Sequence, residues 1–247
     1  MAKPLLTLLI TMLLQLGAVQ AVGAADGGGL TLLAERFDSW PQWSLPAPLP
    51  RPRRRQDLIY PEWFEGTWQV TSEVLSGDGR PLPEDEPLRH SARFLHNQRG
   101  ELVGDRPYNA GSVGKALLGE RLLSVEQDPD RVNRQLARLQ GDALLETTVI
   151  GRRESNPGNP ADFYSDELVL QILHGPGAPR LSRIETLTHY KRCGDSICAD
   201  QRQVSHAGPG LETDQTLEGR SSSFRLTLTP LQQGPDSAIE TRADRAS

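Results

Sequence analysis

Residues 60–72, YPEWFEGTWQVTS, carry the reading that decides the fold. From Thr67 onward the side chains alternate, with Trp68, Val70 and Ser72 on one face and Thr67, Gln69 and Thr71 on the other. A period of two is what a half-buried strand requires, because successive side chains point to opposite sides of a sheet and only one side meets the core. Gly66 permits a tight turn just before the strand, and the Trp68 indole is large enough to plug the end of a small barrel. The stretch therefore predicts the first strand of a barrel.

The same alternation recurs downstream. His90, Ala92 and Phe94 oppose Ser91, Arg93 and Leu95; Ile184, Thr186, Thr188 and Tyr190 oppose Arg183, Glu185, Leu187 and His189. Phe224, Leu226 and Leu228 oppose Arg225, Thr227 and Thr229 before Pro230 stops the run. Strand-like runs also fall at 101–106, 121–127, 132–139, 143–152, 168–173 and 199–205, separated by turn residues such as Asn97–Gly100, Asp128–Asp130 and Gly175–Gly177. Only Asn109–Leu118, NAGSVGKALL, prefers a helical turn in the middle of the chain, where it is placed as a lid across an opening. About eight to ten consecutive strands with short turns predict an all-β, lipocalin-like antiparallel barrel with one short helix. Closure is favoured because an open meander leaves two unpaired edges.

Outside the barrel, reading outward, Met1–Ala25 has one early charge at Lys3, an apolar run, and small residues at Ala21 and Ala24, the pattern of a secretory signal peptide. Residues 26–56 form an amphipathic segment followed by a Pro/Arg-rich tether, LPAPLPRPRRR at 45–55, in which alternate prolines deny backbone donors to helix or sheet. Residues 57–231 are the barrel domain, and 232–247 have no apolar pattern and are expected to be a disordered tail. Arg51, Arg53, Arg54 and Arg55 are positioned for peripheral contact with an anionic membrane surface or an acidic partner, with a solvated linker as the bland alternative. A net charge of −5 leaves no broad positive field for nucleic acid, and a monomer is expected. Cys193 and Cys198 flank Gly194-Asp195 and are expected to form a disulfide across a hairpin turn in an oxidising compartment.

Chemistry is sparse. Gly111–Lys115 nearly matches a phosphate loop, but Ala116 stands where the magnesium-binding hydroxyl belongs, so Ser112 reads as a helix cap. Glu84, Asp85 and Glu86 lack the alternating spacing of a calcium loop, and the five histidines read as isolated, with His189 facing solvent by parity. No catalytic residue, metal ligand or cofactor is assigned, and the chain is not read as an enzyme. If the barrel holds a ligand, Trp68, Val70, Arg106, Tyr108, Leu170, Thr188 and Tyr190 are the expected lining. Arg106 either pairs with Asp105 at the corner or faces an anionic group.

Gly66-Thr67-Trp68 resembles the Gly-x-Trp signature of lipocalins and related calycin barrels, which implies a small apolar ligand bound inside. Those proteins also set a late Arg against the Trp, whereas Arg225 here falls by parity on the opposite face. YPEWFEGTWQVTS, RFLHNQRGELVGDRPYNAGSVGKALLG, IETLTHYKR and FRLTLTPL resemble an uncharacterised family of cyanobacteria and chloroplasts whose members are directed to the thylakoid lumen. That resemblance implies the lumen or periplasm of a photosynthetic cell and no catalytic residues. Two functions follow as expectations: a barrel that binds a pigment or lipid, or a lumenal interaction and assembly factor for a photosynthetic membrane complex, with its barrel filled.

Overall fold

A computed structural model describes residues 26–75, 86–207 and 220–231. The signal peptide, Glu84 and Asp85, and the C-terminal tail read from the sequence lie outside the described residues. Helix α1 (Asp26–Asp38) precedes an extended segment and a 3-10 turn, Glu62–Phe64. Then come β1 (Gly66–Leu75), β2 (Leu88–His96), β3 (Leu102–Gly104), helix α2 (Arg106–Leu118) and β4 (Leu122–Gln127). The remaining strands are β5 (Arg134–Leu139), β6 (Ala143–Glu154), β7 (Asp162–His174), β8 (Arg180–Cys193), β9 (Ser196–Ala207) and β10 (Arg220–Pro230).

All ten strands form one antiparallel sheet in the order β3-β2-β1-β10-β9-β8-β7-β6-β5-β4, curled into a half-barrel. The all-β, barrel-like fold expected from the alternation is the fold observed. Trp68 pairs with Ala92 on β2 and with Pro230 on β10, so the first and last strands are neighbours. The Cys193–Cys198 disulfide is formed across the β8–β9 hairpin, where Gly194 takes a φ of 64° between the paired Cys193 and Ser196.

Closure differs from the expectation. β3 and β4 stay unpaired with each other, and α2, which links them in sequence, packs against β2 and β4. The helix substitutes side chains for a missing strand. Past the end of β3, Asn109 Oδ1 accepts from Arg93 N at 2.6 Å, and Asn109 Nδ2 donates to Arg93 O at 3.0 Å. Ser112 Oγ accepts from Ser91 N at 2.8 Å. Ser112 is therefore not the helix cap; that role falls to Asp105, whose carboxylate accepts from Tyr108 N, with Pro107 in the first turn where no intrahelical donor is lost.

The 26–56 segment is not a free tether. Leu33 and Trp43 are buried with Tyr164, Leu187 and Val204 on the outer face of the sheet. Arg36 forms two hydrogen bonds of 2.8 Å to the Glu185 carboxylate, which also accepts from Ala47 N at 2.9 Å. Proline removes donors but keeps acceptors, and the sheet uses them: Arg152 N donates to Pro50 O at 2.9 Å, and Val132 N to Arg54 O at 3.1 Å. The crossing is tight at Gly151, where a Cβ would stand 2.9 Å from Leu49 Cβ, next to a register shift between Val149 and Gly151.

Candidate functional site: a filled half-barrel and two open surfaces

The inner face begins as an aromatic cluster. Residues 58–64 run into the half-barrel, held by Tyr60 N donating to Leu102 O at 2.9 Å. Tyr60 packs at 4.7 Å from Phe94, 4.8 Å from Phe64 and 5.7 Å from Phe163, and Phe64 lies 5.1 Å from Tyr190. All five rings are buried. Trp68 Nε1 donates to Phe64 O at 2.7 Å, which satisfies the buried indole from within the same plug.

Beyond the rings, the same face turns polar while staying buried, with Ser165 and Glu167 on β7, Thr186 and Thr188 on β8, and Gln201 and Gln203 on β9. Polar groups out of water must find partners there. Gln203 Nε2 donates to Thr186 Oγ1 at 3.1 Å, and Thr188 Oγ1 to Gln201 Oε1 at 3.4 Å. Charges are paired in a network: Arg152 Nε to Glu167 Oε1 at 2.6 Å, and Arg106 Nε to Asp57 Oδ1 at 3.0 Å, with Glu167 also 3.9 Å from Arg106. Asn133 ties it to the arginine-rich segment, accepting from Arg152 Nη2 at 2.9 Å while donating to Arg53 O at 3.0 Å.

The electrostatics follow from burial. Desolvation works to lower the Arg106 guanidinium, but Asp57 and Glu167 outweigh it and its pKa rises. Arg152 is lowered by burial and by repulsion from Arg106, against the pull of Glu167. Glu154, on the strand with Arg152, is pushed up to about 7 by burial, opposed by Arg152 and reinforced by Glu167. Burial likewise pushes the Tyr190 phenol up to about 12. Among the described residues, the inner face encloses a cavity of about 10 Å³, lined by Leu58, Tyr60, Ser165, Glu167, Thr188 and Tyr190 among others. That is about the room of one water molecule.

The residues expected to line a ligand are therefore dispersed. Trp68, Val70 and Tyr190 share the packed aromatic core, and Thr188 and Tyr190 edge the small cavity. Arg106 is buried, and its partner is Asp57; Asp105 instead pairs with Arg93. Tyr108 sits on α2, outside the interior, with the Arg93 guanidinium 4.2 Å over its ring. Leu170 belongs to the outer face, because Phe163, Ser165, Glu167 and Val169 take the inward parity of β7. His189 points outward as expected but is covered, stacked 3.8 Å from Tyr164 beneath Phe37 of α1. His206 is not isolated, since its Nε2 lies 3.5 Å from Glu185.

Sequence reasoning missed Asp57, Asn133, Arg152 and Glu167. A signal existed for Glu167: a charged residue at the inward parity of Phe163 and Val169 is costly unless paired. Two open surfaces complete the picture. One groove of about 530 Å³ at the end of the half-barrel is lined by Trp63, Trp68, Ile197 and Leu231 with Glu62 and Asp195. A second cleft, about 790 Å³, lies between the arginine-rich segment and the β4–β5 turn.

No curated protein and no solved structure matches the chain. A family model described as Domain of unknown function (DUF6816) matches residues 53–220, from within the arginine run to the first residue of β10. The match covers more than half of the chain, which belongs to that family.

Proposed function

We propose that this is an exported, non-catalytic interaction protein whose half-barrel serves as a rigid scaffold and whose outer surface meets a protein partner. The filled interior carries the reading. Five aromatic rings and a paired charge network occupy the inner face, and the cavity beside them holds about 10 Å³. Small-molecule sites usually offer some 300–1,000 Å³. Export rests on the N-terminal sequence, and the thylakoid lumen or periplasm, with a photosynthetic membrane complex as the partner, rests on the family resemblance of the quoted motifs.

A second reading keeps a small apolar ligand but moves it to the groove at the end of the half-barrel, where Trp63 and Trp68 line about 530 Å³. Native mass spectrometry with organic extraction of protein purified from its own host separates the two. A stoichiometric small molecule that disappears in Trp63→Ala supports the ligand reading. Protein that arrives empty, with a stoichiometric protein partner, supports the scaffold.

A further inference from the structure

The arginine run is held by its main chain. Arg53 O accepts from Asn133 Nδ2 at 3.0 Å, Arg54 O from Val132 N at 3.1 Å, and Arg55 O from Arg99 Nη2 at 2.8 Å. With three successive carbonyls tied to the body of the protein, the backbone cannot wave as a linker would. The side chains of Arg53, Arg54 and Arg55 are exposed, and so is that of Arg131 across the cleft. No ion pair engages Arg54, Arg55 or Arg131 among the described residues.

The cleft's other charges are already balanced in part. Arg134 donates to Asp128 at 2.8 Å and to Glu146 at 2.9 Å, which consumes its own guanidinium and lowers both carboxyls, chiefly through those hydrogen bonds. Asp130 stands exposed beside the arginines. The lining is thus cationic at Arg54, Arg55 and Arg131 but interleaved with carboxylates.

We propose that this cleft docks a carboxylate-rich segment of a partner protein, with Arg54, Arg55 and Arg131 as its anchors. The interleaving decides between partners. A lipid surface is negative everywhere and would press anionic headgroups onto Asp130, whereas a peptide can place carboxylates on the arginines and leave the acids free. Guanidinium forks suit carboxylates with two parallel hydrogen bonds, and a fixed backbone lowers the ordering cost of forming them. The inference rests on the interaction reading above and names its surface.

The test uses the full folded chain and a fluorescent hexaglutamate peptide, read by anisotropy at low and moderate salt. Arg54→Gln/Arg55→Gln is compared with Arg180→Gln/Arg192→Gln, which removes the same charge from exposed positions elsewhere. The expected result is binding that weakens about tenfold in the first variant, stays near wild type in the second, and fades as salt rises. Equal loss in both variants means unspecific attraction and overturns the site. Binding to phosphatidylglycerol vesicles without binding to the peptide overturns the protein partner. Absence of peptide binding while a host partner is still captured equally by both variants overturns the site and leaves the interaction reading standing.

Discussion

Asn109 completes Arg93 as a neighbouring strand would, accepting from its N–H at 2.6 Å and donating to its carbonyl at 3.0 Å. A helix thereby finishes the hydrogen bonding of a sheet border that β3 is too short to cover. Asn109→Ala strands the Arg93 N–H at a part-buried position, while Arg93 O keeps its bond from Asp105 N at 2.9 Å, at a cost of about 1–3 kcal/mol. Urea titration measures the loss, and amide exchange locates it: Arg93 N–H becomes among the fastest in β2. An Arg93 amide as protected as in wild type would sink the account.

Glu167 and Arg152 are strong only as a pair. Arg152→Met leaves a buried carboxylate with Arg106 at 3.9 Å as its remaining cation, and about 3–5 kcal/mol of stability goes with it. Arg152→Met/Glu167→Leu removes both charges and is expected to recover most of that loss. Urea midpoints with an unchanged slope check the comparison. A double variant no better than the single would show that the charges act independently.

Glu154 makes stability fall as the medium goes from acid to neutral. Burial pushes its carboxyl from an ordinary 4.5 up to about 7, so between those values the folded protein keeps a proton that the unfolded chain has released. Stability therefore declines as pH rises through that window and levels off above it, by about 2 kcal/mol once partial solvent exposure is allowed for. Glu154→Gln, neutral at every pH, should match wild type near pH 4 and melt several degrees higher at pH 8. Equal melting differences at both pH values would refute this.

Gly151 is the crossing point for the strap. A methyl group there meets Leu49 Cβ at 2.9 Å, so Gly151→Ala must lift residues 49–50 and break the Arg152 N to Pro50 O bond. Trypsin should then cut faster after Arg53, Arg54 and Arg55, while the sheet keeps its far-ultraviolet spectrum. Leu49→Gly in the same background makes room and should restore resistance in part. Unchanged cleavage in Gly151→Ala would mean that the strap yields without detaching.

Strand parity was the legible part of the fold, because burying one side of a sheet writes a period of two into β1, β2, β8 and β10. Turn residues marked the β8–β9 hairpin and its disulfide for the same local reason. Leu170 shows where this fails: β7 is covered on both faces, so its run of apolar residues has no polar side to declare which way is inward. The prolines at 46–52 were misleading as a tether signal, since absent donors say nothing about carbonyls waiting to be used. Asn133 was invisible, because its side chain's partners come from residues 53, 56, 106 and 152, far away in the chain.

The adjacency of β1 and β10, with Thr71 opposite Thr227, sets the order of events during synthesis. A chain growing from its N-terminus leaves both β1 and β9 with a bare border until the 11 residues of β10 emerge and slot between them. Of the ten strands, the one that closes the zipper is thus made last, and from Thr227 it must reach back 156 residues to Thr71. Until its tenth strand is made, the nascent sheet keeps two unpaired borders open to other strands.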